Sequence, residues 1–520
     1  MELKKKDIFF LIVFYLMGSI VYQTLIVNEL PNPDTIWNGL VYKQGWEWEC
    51  SLGRFMIRFF QMLFGNIVNP ATTVLLGILV VAIISVIVSN VFEISNDIFK
   101  FLCGGLIMLT PAITGTLSYH YCSLYYLIAY LFAVVAAAIM CKKRGVFWGM
   151  MATVLLCLSL GTYQAYIGVV IVICLLFLIT MTIDDNKTGN DLIKVGINMV
   201  CTAGSGVLLY LLVNKFFLHV WKVAAEEGRG FSKMGSLAFE NLSNLLKNCY
   251  IYLYQYFFSN EMVNNYSNNF GKRNLNIVWI SLLTAIVLCK VFSMKKSNLY
   301  KVLALVEIGL LPVAIMCITI AGSGVSIYDT TGLIMLPTTN YMYILPLVLL
   351  LVNPGSIREN LEQLLRYGVI AVSCITLLAL YNYSSAMQMY QKASLQKMNY
   401  VAQNMAREIE SYIYEEGEYQ VCIIGRMEEG NYPEIYPILA DEIKWTTASY
   451  KMVWNDFRAT QECWRLYIEQ YFGVSYRICE YEKYNEIIET NEYKNRDIFP
   501  SKESVYLYDD SIVVIKLSEQ

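Results

Sequence analysis

The chain has 520 residues, of which 56% are hydrophobic and only 16% are charged. Soluble globular proteins average roughly 25% charged residues, so this composition favours a protein whose main solvent is lipid. The formal net charge of −3 argues against nucleic-acid partners, which need a basic surface. The 14 cysteines and two histidines show no zinc-ligand spacing. We therefore assign no cofactor, and a bound metal would be a hard divalent cation held by carboxylates and phosphate.

Long apolar runs divide most of the chain. A helix needs about 20 apolar residues to cross the bilayer core. We expect the first run to be retained as a span, because no small-residue cleavage site follows it. The runs predict eleven transmembrane helices, near residues 8–27, 71–92, 101–118, 122–141, 146–162, 164–183, 195–218, 275–293, 302–321, 340–353 and 367–385.

Basic residues in the short loops set the predicted orientation. With eleven spans, every basic cluster lies on one side of the membrane, which is the cytoplasmic side by the positive-inside rule. We therefore predict a multi-pass protein of the inner or plasma membrane, with a cytoplasmic N-terminus and an extracytoplasmic C-terminus. The clusters are at residues 4–6, 142–144, 187 and 194, 295–301, and 358 and 366.

The composition changes after the last predicted span, where charged residues become frequent and long apolar runs stop. We predict a polar amphipathic helix over residues 392–414 and a hairpin turn at Asp509, Asp510 and Ser511. The predicted strands are residues 421–425, 476–480, 504–508 and 512–517. The chain thus divides into a transmembrane domain, residues 1–385 with outer loops 28–70 and 219–274, and a small soluble extracytoplasmic α/β domain, residues 386–520.

The first outer loop carries an acidic residue close to the membrane surface. Asp34 follows Pro33, a few residues after the first predicted span. A carboxylate there could accept the proton of a sugar hydroxyl that attacks an anomeric carbon. Alternatively, Asp34 is the N-cap of a helix that begins at Thr35. The two roles are compatible.

The same loop carries basic residues suited to a phosphate. Arg54, Arg58 and Gln61 have the spacing i, i+4 and i+7, which predicts one polar stripe on an interfacial helix. Arg54, with Arg58 and Lys43, could bind the phosphate of a lipid-linked donor, because a guanidinium pairs with two phosphate oxygens at once. The alternative is that these side chains extend to anionic lipid headgroups.

Aromatic and acidic residues alternate from Trp46 through Glu47 and Trp48 to Glu49. Indole faces pack on sugar rings and carboxylates accept hydrogen bonds from hydroxyls, so these residues are candidates for a saccharide subsite; anchoring of the tryptophans at the interface is the alternative. His120, in a tyrosine-rich turn between two predicted spans, is a further candidate for sugar or phosphate contact, or a structural turn residue.

Three short elements resemble the polytopic Gtr-type glucosyltransferases that decorate bacterial O-antigens and other surface glycans. They are Asn32-Pro33-Asp34, Gly53-Arg54-Phe55 and the run from Gly161 to Tyr166, GTYQAY. Members of that family often have a second acidic residue next to the first, where this chain has Pro33. They also tend to have a basic residue entering a late span, where this chain has Leu336-Pro337-Thr338-Thr339-Asn340.

The resemblance implies a GT-C-like fold and a polyprenyl-phosphate sugar donor used on the outer face. It implies that Asp34 is the general base, that Arg54 contacts the donor phosphate, and that Tyr163 and Gln164 help to line the cavity. Alternatively, Tyr163 and Gln164 satisfy backbone groups at a helix end between two spans. The absence of a Gly-rich nucleotide-binding loop from the sequence agrees with a donor that arrives from the bilayer.

We therefore expect a hexosyltransferase that moves a sugar, glucose by resemblance, onto a cell-surface glycan. A transporter or flippase of lipid-linked glycans would have a similar number of spans, but it should carry charges inside them and internal symmetry. The charges of this chain concentrate in the predicted outer segments, which favours the enzyme. A polymerase of lipid-linked glycans is the other alternative.

Overall fold

The structure is a computed structural model, and it describes residues 5–38, 46–65, 67–226, 242–258, 272–321, 334–352, 359–412, 420–425 and 457–519. Most of these residues are helical. In the first half of the chain the α-helices are Lys5–Val21, Gln23–Asn28, Pro33–Trp37, Glu47–Ser51, Met56–Phe64, Pro70–Val91, Asp97–Met108, Pro111–Leu117, Ser123–Lys142, Val146–Leu160, Ile167–Ile183 and Gly189–Trp221. The later α-helices are Leu242–Phe258, Lys272–Phe292, Asn298–Gly309, Leu311–Ile315, Ile318–Ala321, Tyr341–Leu349, Glu359–Tyr412, Phe457–Phe472, Tyr481–Glu489 and Asn491–Asn495.

The chain is a polytopic helical membrane protein. Among the described residues, seven helices are long and apolar enough to cross a bilayer, and an eighth is added if Asp97–Met108 and Pro111–Leu117, bent by 48°, form one broken span. Several predicted runs are helical but interrupted. The runs 101–118 and 302–321 break before Pro111 and Pro312, where a proline ring cannot continue the preceding helix. The count of eleven spans and the orientation therefore stay predictions.

The first predicted span is interrupted near Tyr22, between the helices Lys5–Val21 and Gln23–Asn28. The side chain of Gln388 lies against this interruption. Its Nε2 donates to the Val21 carbonyl at 2.9 Å, and its Oε1 accepts from the Leu25 backbone N–H at 3.3 Å. Both backbone groups are thereby satisfied in an apolar environment, where an unbonded peptide group is costly.

The helix Glu359–Tyr412, called the long helix below, has 54 residues. At 1.5 Å per residue it is about 81 Å long, much more than the roughly 30 Å of a bilayer core. The sequence pattern predicts two separate elements here, a span at 367–385 and a polar helix at 392–414. That division was wrong: no glycine or proline lies between them to end the helix.

Four strands form one sheet near the C-terminus: β1 Gln420–Ile424, β2 Arg477–Ile478, β3 Val505–Tyr508 and β4 Ile512–Lys516, in the order β2-β1-β4-β3. Each lies in or within one residue of a predicted strand. β1 runs parallel to β2 and β4, and β3 pairs antiparallel with β4. The turn between β3 and β4 has φ of 50° at Asp509 and 53° at Asp510, as a tight hairpin turn requires.

The two faces of this sheet are covered differently. Alternate residues of β1 point to opposite sides, with Val421 and Ile423 in one buried cluster and Cys422 and Ile424 in another. The first cluster also contains residues of the long helix and of the helix Phe457–Phe472, called the bridging helix below. We name the sheet, the end of the long helix from residue 395 and the bridging helix together the C-terminal unit.

Candidate active site

Asp34 lies on a helix of five residues, Pro33–Trp37, called the Asp34 helix below. Its N-cap is Asn32, whose Oδ1 accepts hydrogen bonds from the backbone N–H of Thr35 at 2.8 Å and from its hydroxyl at 2.6 Å. The proposed capping role of Asp34 was therefore wrong. Pro33 occupies the first helical position, which suits its fixed φ and missing N–H, so the cap falls on the residue before it. The half-buried Asp34 carboxylate is released from capping.

Two elements hold the Asp34 helix and the segment that leads into it. The backbone N–H of Asn32 and the hydroxyl of Thr35 both donate to the Ser118 carbonyl, each at 3.2 Å. Gln391 of the long helix donates from Nε2 to the carbonyls of Leu30 at 3.0 Å and Pro31 at 3.1 Å. The segment that leads into the helix is therefore fixed on both sides.

Arg54 forms a buried ion pair with Glu49. Its Nη1 lies 2.8 Å from Glu49 Oε2 and donates to the hydroxyl of Tyr126, also at 2.8 Å. The Glu49 side chain is 3% exposed and that of Arg54 is 13% exposed. Burial favours the neutral form of Arg54, but attraction by Tyr126, Glu49 and Tyr163 outweighs it and holds its pKa well above the ordinary value. Arg54 is thus a permanent cation.

Arg54 does not lie on the interfacial helix, as the predicted stripe of Arg54, Arg58 and Gln61 required. The helix begins at Met56, and Arg54 lies in the turn before it. Gly53 has φ of 81°, a left-handed conformation that glycine adopts without strain, and its N–H donates to the Cys50 carbonyl at 2.8 Å. This turn directs Arg54 away from the stripe and toward Glu49.

Tyrosine rings surround the Arg54 guanidinium. Its Cζ lies 5.1 Å from the ring centre of Tyr163 and 5.7 Å from that of Tyr126, and the two rings stack at 4.3 Å. Nearby, the pKa of Tyr121 is raised by burial and further by Cys122, Glu49, Tyr126 and Asp34. The charges of Glu49 and Asp34 both act on Tyr121, so both carboxylates lie within electrostatic range of its hydroxyl.

Two short elements of the sequence, Gly53-Arg54-Phe55 and the run from Gly161 to Tyr166, are in direct contact. The Met56 N–H donates to the Gly161 carbonyl at 2.8 Å. Gln164 donates from Nε2 to the Leu52 carbonyl at 2.7 Å and to the Tyr210 hydroxyl at 3.0 Å. Tyr210 in turn donates to the Gly53 carbonyl at 3.2 Å. Gln164 is buried and satisfies a backbone group of the loop, in keeping with the second of its two expected roles.

Arg58 lies in a different environment from Arg54. Its Cζ is 3.8 Å from the ring centre of Trp46 and 4.5 Å from that of Trp221, so the guanidinium lies against two indoles. Among the described residues no carboxylate pairs with Arg58 and no hydrogen bond occupies its donors. The helix Met56–Phe64 that carries it exposes apolar side chains, as an interfacial helix does: Phe59, Met62, Leu63 and Phe64.

The remaining predicted residues take separate positions. Glu47 is exposed, and its carboxylate accepts from the Trp46 N–H at 3.0 Å. His120 is buried in the turn after Pro111–Leu117, and its Nε2 has no hydrogen-bond partner in the part of the chain that the structure describes. Burial lowers the pKa of His120 to about 3. Lys43 lies outside the described residues. Within the described ranges no cluster of three His, Cys, Asp or Glu side chains could hold a metal ion.

Sequence reasoning missed several residues that build this site. Tyr121 and Tyr126 belong to a tyrosine-rich stretch that was considered only through His120. Trp221 ends a long apolar helix, where an interfacial anchor is the usual interpretation. Gln391 lies between the last predicted span and the predicted polar helix, yet it is 1% exposed. A glutamine one helical turn from another glutamine, Gln388, was the available signal, since both face the same side.

We predict that Gly161→Ala destabilises the protein, whereas Gly149→Ala at the start of the same helix does not. A Cβ at Gly161 would lie 2.3 Å from Cζ of Phe55, while one at Gly149 would have its nearest neighbour, Thr202, at 3.9 Å. Overpacking costs about 1–3 kcal/mol, and an open helical glycine gains up to about 1 kcal/mol on change to alanine. Thermal unfolding in detergent checks this. Equal melting temperatures of the two variants would contradict the contact.

We predict that His120 makes stability fall between about pH 7.5 and pH 5.5. Its pKa is about 3 when buried and 6.5 ordinarily, so the unfolded chain binds more protons than the folded chain in between. Stability is therefore lost as the pH drops below 6.5, by about 1.4 kcal/mol at pH 5.5. His120→Gln should lose this part of the pH dependence of the melting temperature, whereas His219→Gln, at an exposed histidine, should keep it. An unchanged pH dependence in His120→Gln would contradict a buried, neutral imidazole.

Comparison with known proteins identifies the family of the chain. A model of the family described as Glucosyl transferase GtrII matches residues 23–337, more than half of the chain. The match covers the Asp34 helix, the Arg54 turn and the run that begins at Gly161. No curated protein and no solved structure matches the chain. The chain belongs to the GtrII glucosyl transferase family, and it is accordingly a glycosyltransferase of the membrane that takes a sugar donor and a glycan acceptor.

Proposed function

We propose that the protein transfers glucose from a polyprenyl-phosphate donor to a cell-surface glycan on the outer face of the membrane, with Asp34 as the general base. Family membership supports glucosyl transfer and favours it over the transporter and polymerase alternatives. The observation that carries the assignment of the base is that Asn32 caps the Asp34 helix, so the Asp34 carboxylate is not the N-cap. The orientation rests on the basic clusters of the short loops.

The reaction needs little from the protein beyond a base, charge stabilisation and positioning, because phosphate is already a good leaving group. In the proposed step, Asp34 removes the proton of an acceptor hydroxyl as its oxygen bonds to the anomeric carbon. The bond from that carbon to the phosphate oxygen breaks, and the phosphate leaves with the electron pair. A cation beside the phosphate stabilises the charge that develops there.

The contacts of the two arginines favour Arg58 as this cation. The charge of Arg54 is already balanced by Glu49 at 2.8 Å, and the pair is buried. In the described part of the chain the guanidinium of Arg58 lies against indole faces, so the donors on its edge can meet a phosphate. Arg54 then organises the loop around Tyr126 and Tyr163. Lys43 remains a second candidate for the phosphate.

The exposure of each candidate side chain indicates whether it can contact a sugar. Glu47 is exposed and follows Trp46, whose half-buried indole lies against Arg58, so the Glu47 carboxylate can bind sugar hydroxyls. Glu49, His120, Tyr163 and Gln164 are buried among protein groups, and a direct sugar contact from them would require the loop to move. We therefore place the donor sugar between the Asp34 helix and the helix Met56–Phe64.

We predict that Asp34→Asn lowers the rate of glucose transfer from polyprenyl-phosphate glucose by about 10²–10⁴-fold with the protein still folded, since a general base contributes about that factor. Transfer by purified protein to a glycan acceptor, with the melting temperature as a folding check, measures this. Asp97→Asn is the matched control, because Asp97 also follows a capping asparagine, Asn96, in the first turn of a helix. Full activity of Asp34→Asn would refute its role as the base.

We predict that Arg58→Ala raises the KM for the donor about tenfold or more and leaves the melting temperature nearly unchanged. Arg54→Met should instead lower stability by about 3–5 kcal/mol, because it leaves the Glu49 carboxylate buried without its cation. The double variant Glu49→Gln with Arg54→Met should recover much of that stability. Titration of donor in the transfer assay separates the two arginines. An unchanged donor KM in Arg58→Ala would remove Arg58 from the phosphate site.

A further inference from the structure

The Asp34 helix has an apolar side chain that is buried outside the transmembrane bundle. Ile36 is 0% exposed and belongs to the buried cluster of the C-terminal unit. All other buried members of that cluster come from residue 398 onward, among them Met398 and Val401 of the long helix and Trp464 of the bridging helix. One side chain of the first loop is therefore part of a core that the end of the chain provides.

The bridging helix fixes this arrangement from its own side. It packs directly against the Asp34 helix. Its Tyr467 hydroxyl donates to the Asn399 side chain of the long helix. The pKa of its Tyr471 is raised by burial and by the charge of Glu29, which places Glu29 within electrostatic range of that ring. The bridging helix thus packs against the long helix and the Asp34 helix, and Glu29 lies within electrostatic range of it.

Because Asp34 and Ile36 lie on one short helix, the burial of Ile36 determines the direction of the Asp34 side chain. Successive residues of a helix are turned by about 100°, so Ile36 and Asp34 point to nearly opposite sides. A helix of five residues has almost no stability of its own, and its conformation depends on tertiary contacts. On one side Asn32 and Thr35 bind the Ser118 carbonyl, and on the other side Ile36 fills the C-terminal core.

We propose that the C-terminal unit positions the general base, with Ile36 as the positioning residue that links this unit to Asp34. This inference rests on the proposed function. The unit lies beyond residues 23–337, which match the GtrII family, whereas Ile36 lies inside them. The unit therefore acts on the reaction by holding the carboxylate at the acceptor hydroxyl, and it does not need to contact the donor.

The test compares Ile36→Ala with Ile487→Ala in the full-length protein. Ile487 is also 0% exposed, but it belongs to the cluster on the opposite face of the sheet. Both truncations open a cavity in a buried cluster that includes residues of the sheet, and only Ile36→Ala changes the Asp34 helix. We expect Ile36→Ala to lower kcat at least tenfold with the donor KM within twofold of wild type. Ile487→Ala should leave kcat within twofold, and Ile36→Val should restore most of the lost kcat.

Each outcome decides the proposal. A wild-type kcat in Ile36→Ala, or an equal loss in Ile487→Ala, would overturn the positioning role. If Ile36→Ala fails to fold, Ile36→Val against Ile487→Val makes the same comparison, with a severalfold loss of kcat expected only in the former. Asp34→Asn is measured alongside: an inactive Asp34→Asn with a normal Ile36→Ala overturns only the positioning role, whereas a fully active Asp34→Asn overturns the proposed function itself.

Discussion

Where a helix is interrupted close to lipid, the backbone N–H and C=O groups at the interruption must still be hydrogen-bonded. This constraint shapes the whole site. Three buried glutamines satisfy it. Gln388 bonds the interruption after Val21, Gln391 bonds the carbonyls before the Asp34 helix, and Gln164 bonds the loop at Leu52. Two of them come from the long helix and one from a break between two spans. These bonds fix backbone groups at the interruption of the first helix, before the Asp34 helix and at Leu52.

Arg54 and Arg58 of that loop have different surroundings, and these surroundings suit them to different roles. Arg54 is paired with Glu49 in a nearly dry environment, where a charge without a partner would be strongly unfavourable. Such a pair specifies a conformation, and it leaves little attraction for a ligand. Arg58 is held by the faces of two indoles, which fix its plane while leaving its hydrogen-bond donors to other partners. The ion pair of Arg54 and the stacking of Arg58 on two indoles are thus suited to different tasks, although the sequence spacing predicted both arginines on one polar stripe.

The sequence predicted the features that depend on local pattern. Apolar runs became helices, the four short strands lie near their predicted ranges, and the elements around Arg54 and Gly161 meet in the structure. The predictions were wrong where tertiary contacts determine the local structure. The cap fell on Asn32 because Pro33 displaced it, and Arg54 left its stripe because of the Gly53 turn. The burial of Ile36 by residues more than 360 positions away leaves no trace in local periodicity.

The long helix runs without interruption from its apolar part, which packs on the first helices, to the core of the C-terminal unit. Because the helix is continuous, its rotation and rise per residue fix the position of the C-terminal core relative to the apolar part. One residue inserted between Gln391 and Met398 would turn the C-terminal core by about 100° around the helix axis and raise it by about 1.5 Å. Ile36 would then face the wrong side of that core. The length of this segment, more than its composition, is what the chain has to keep constant.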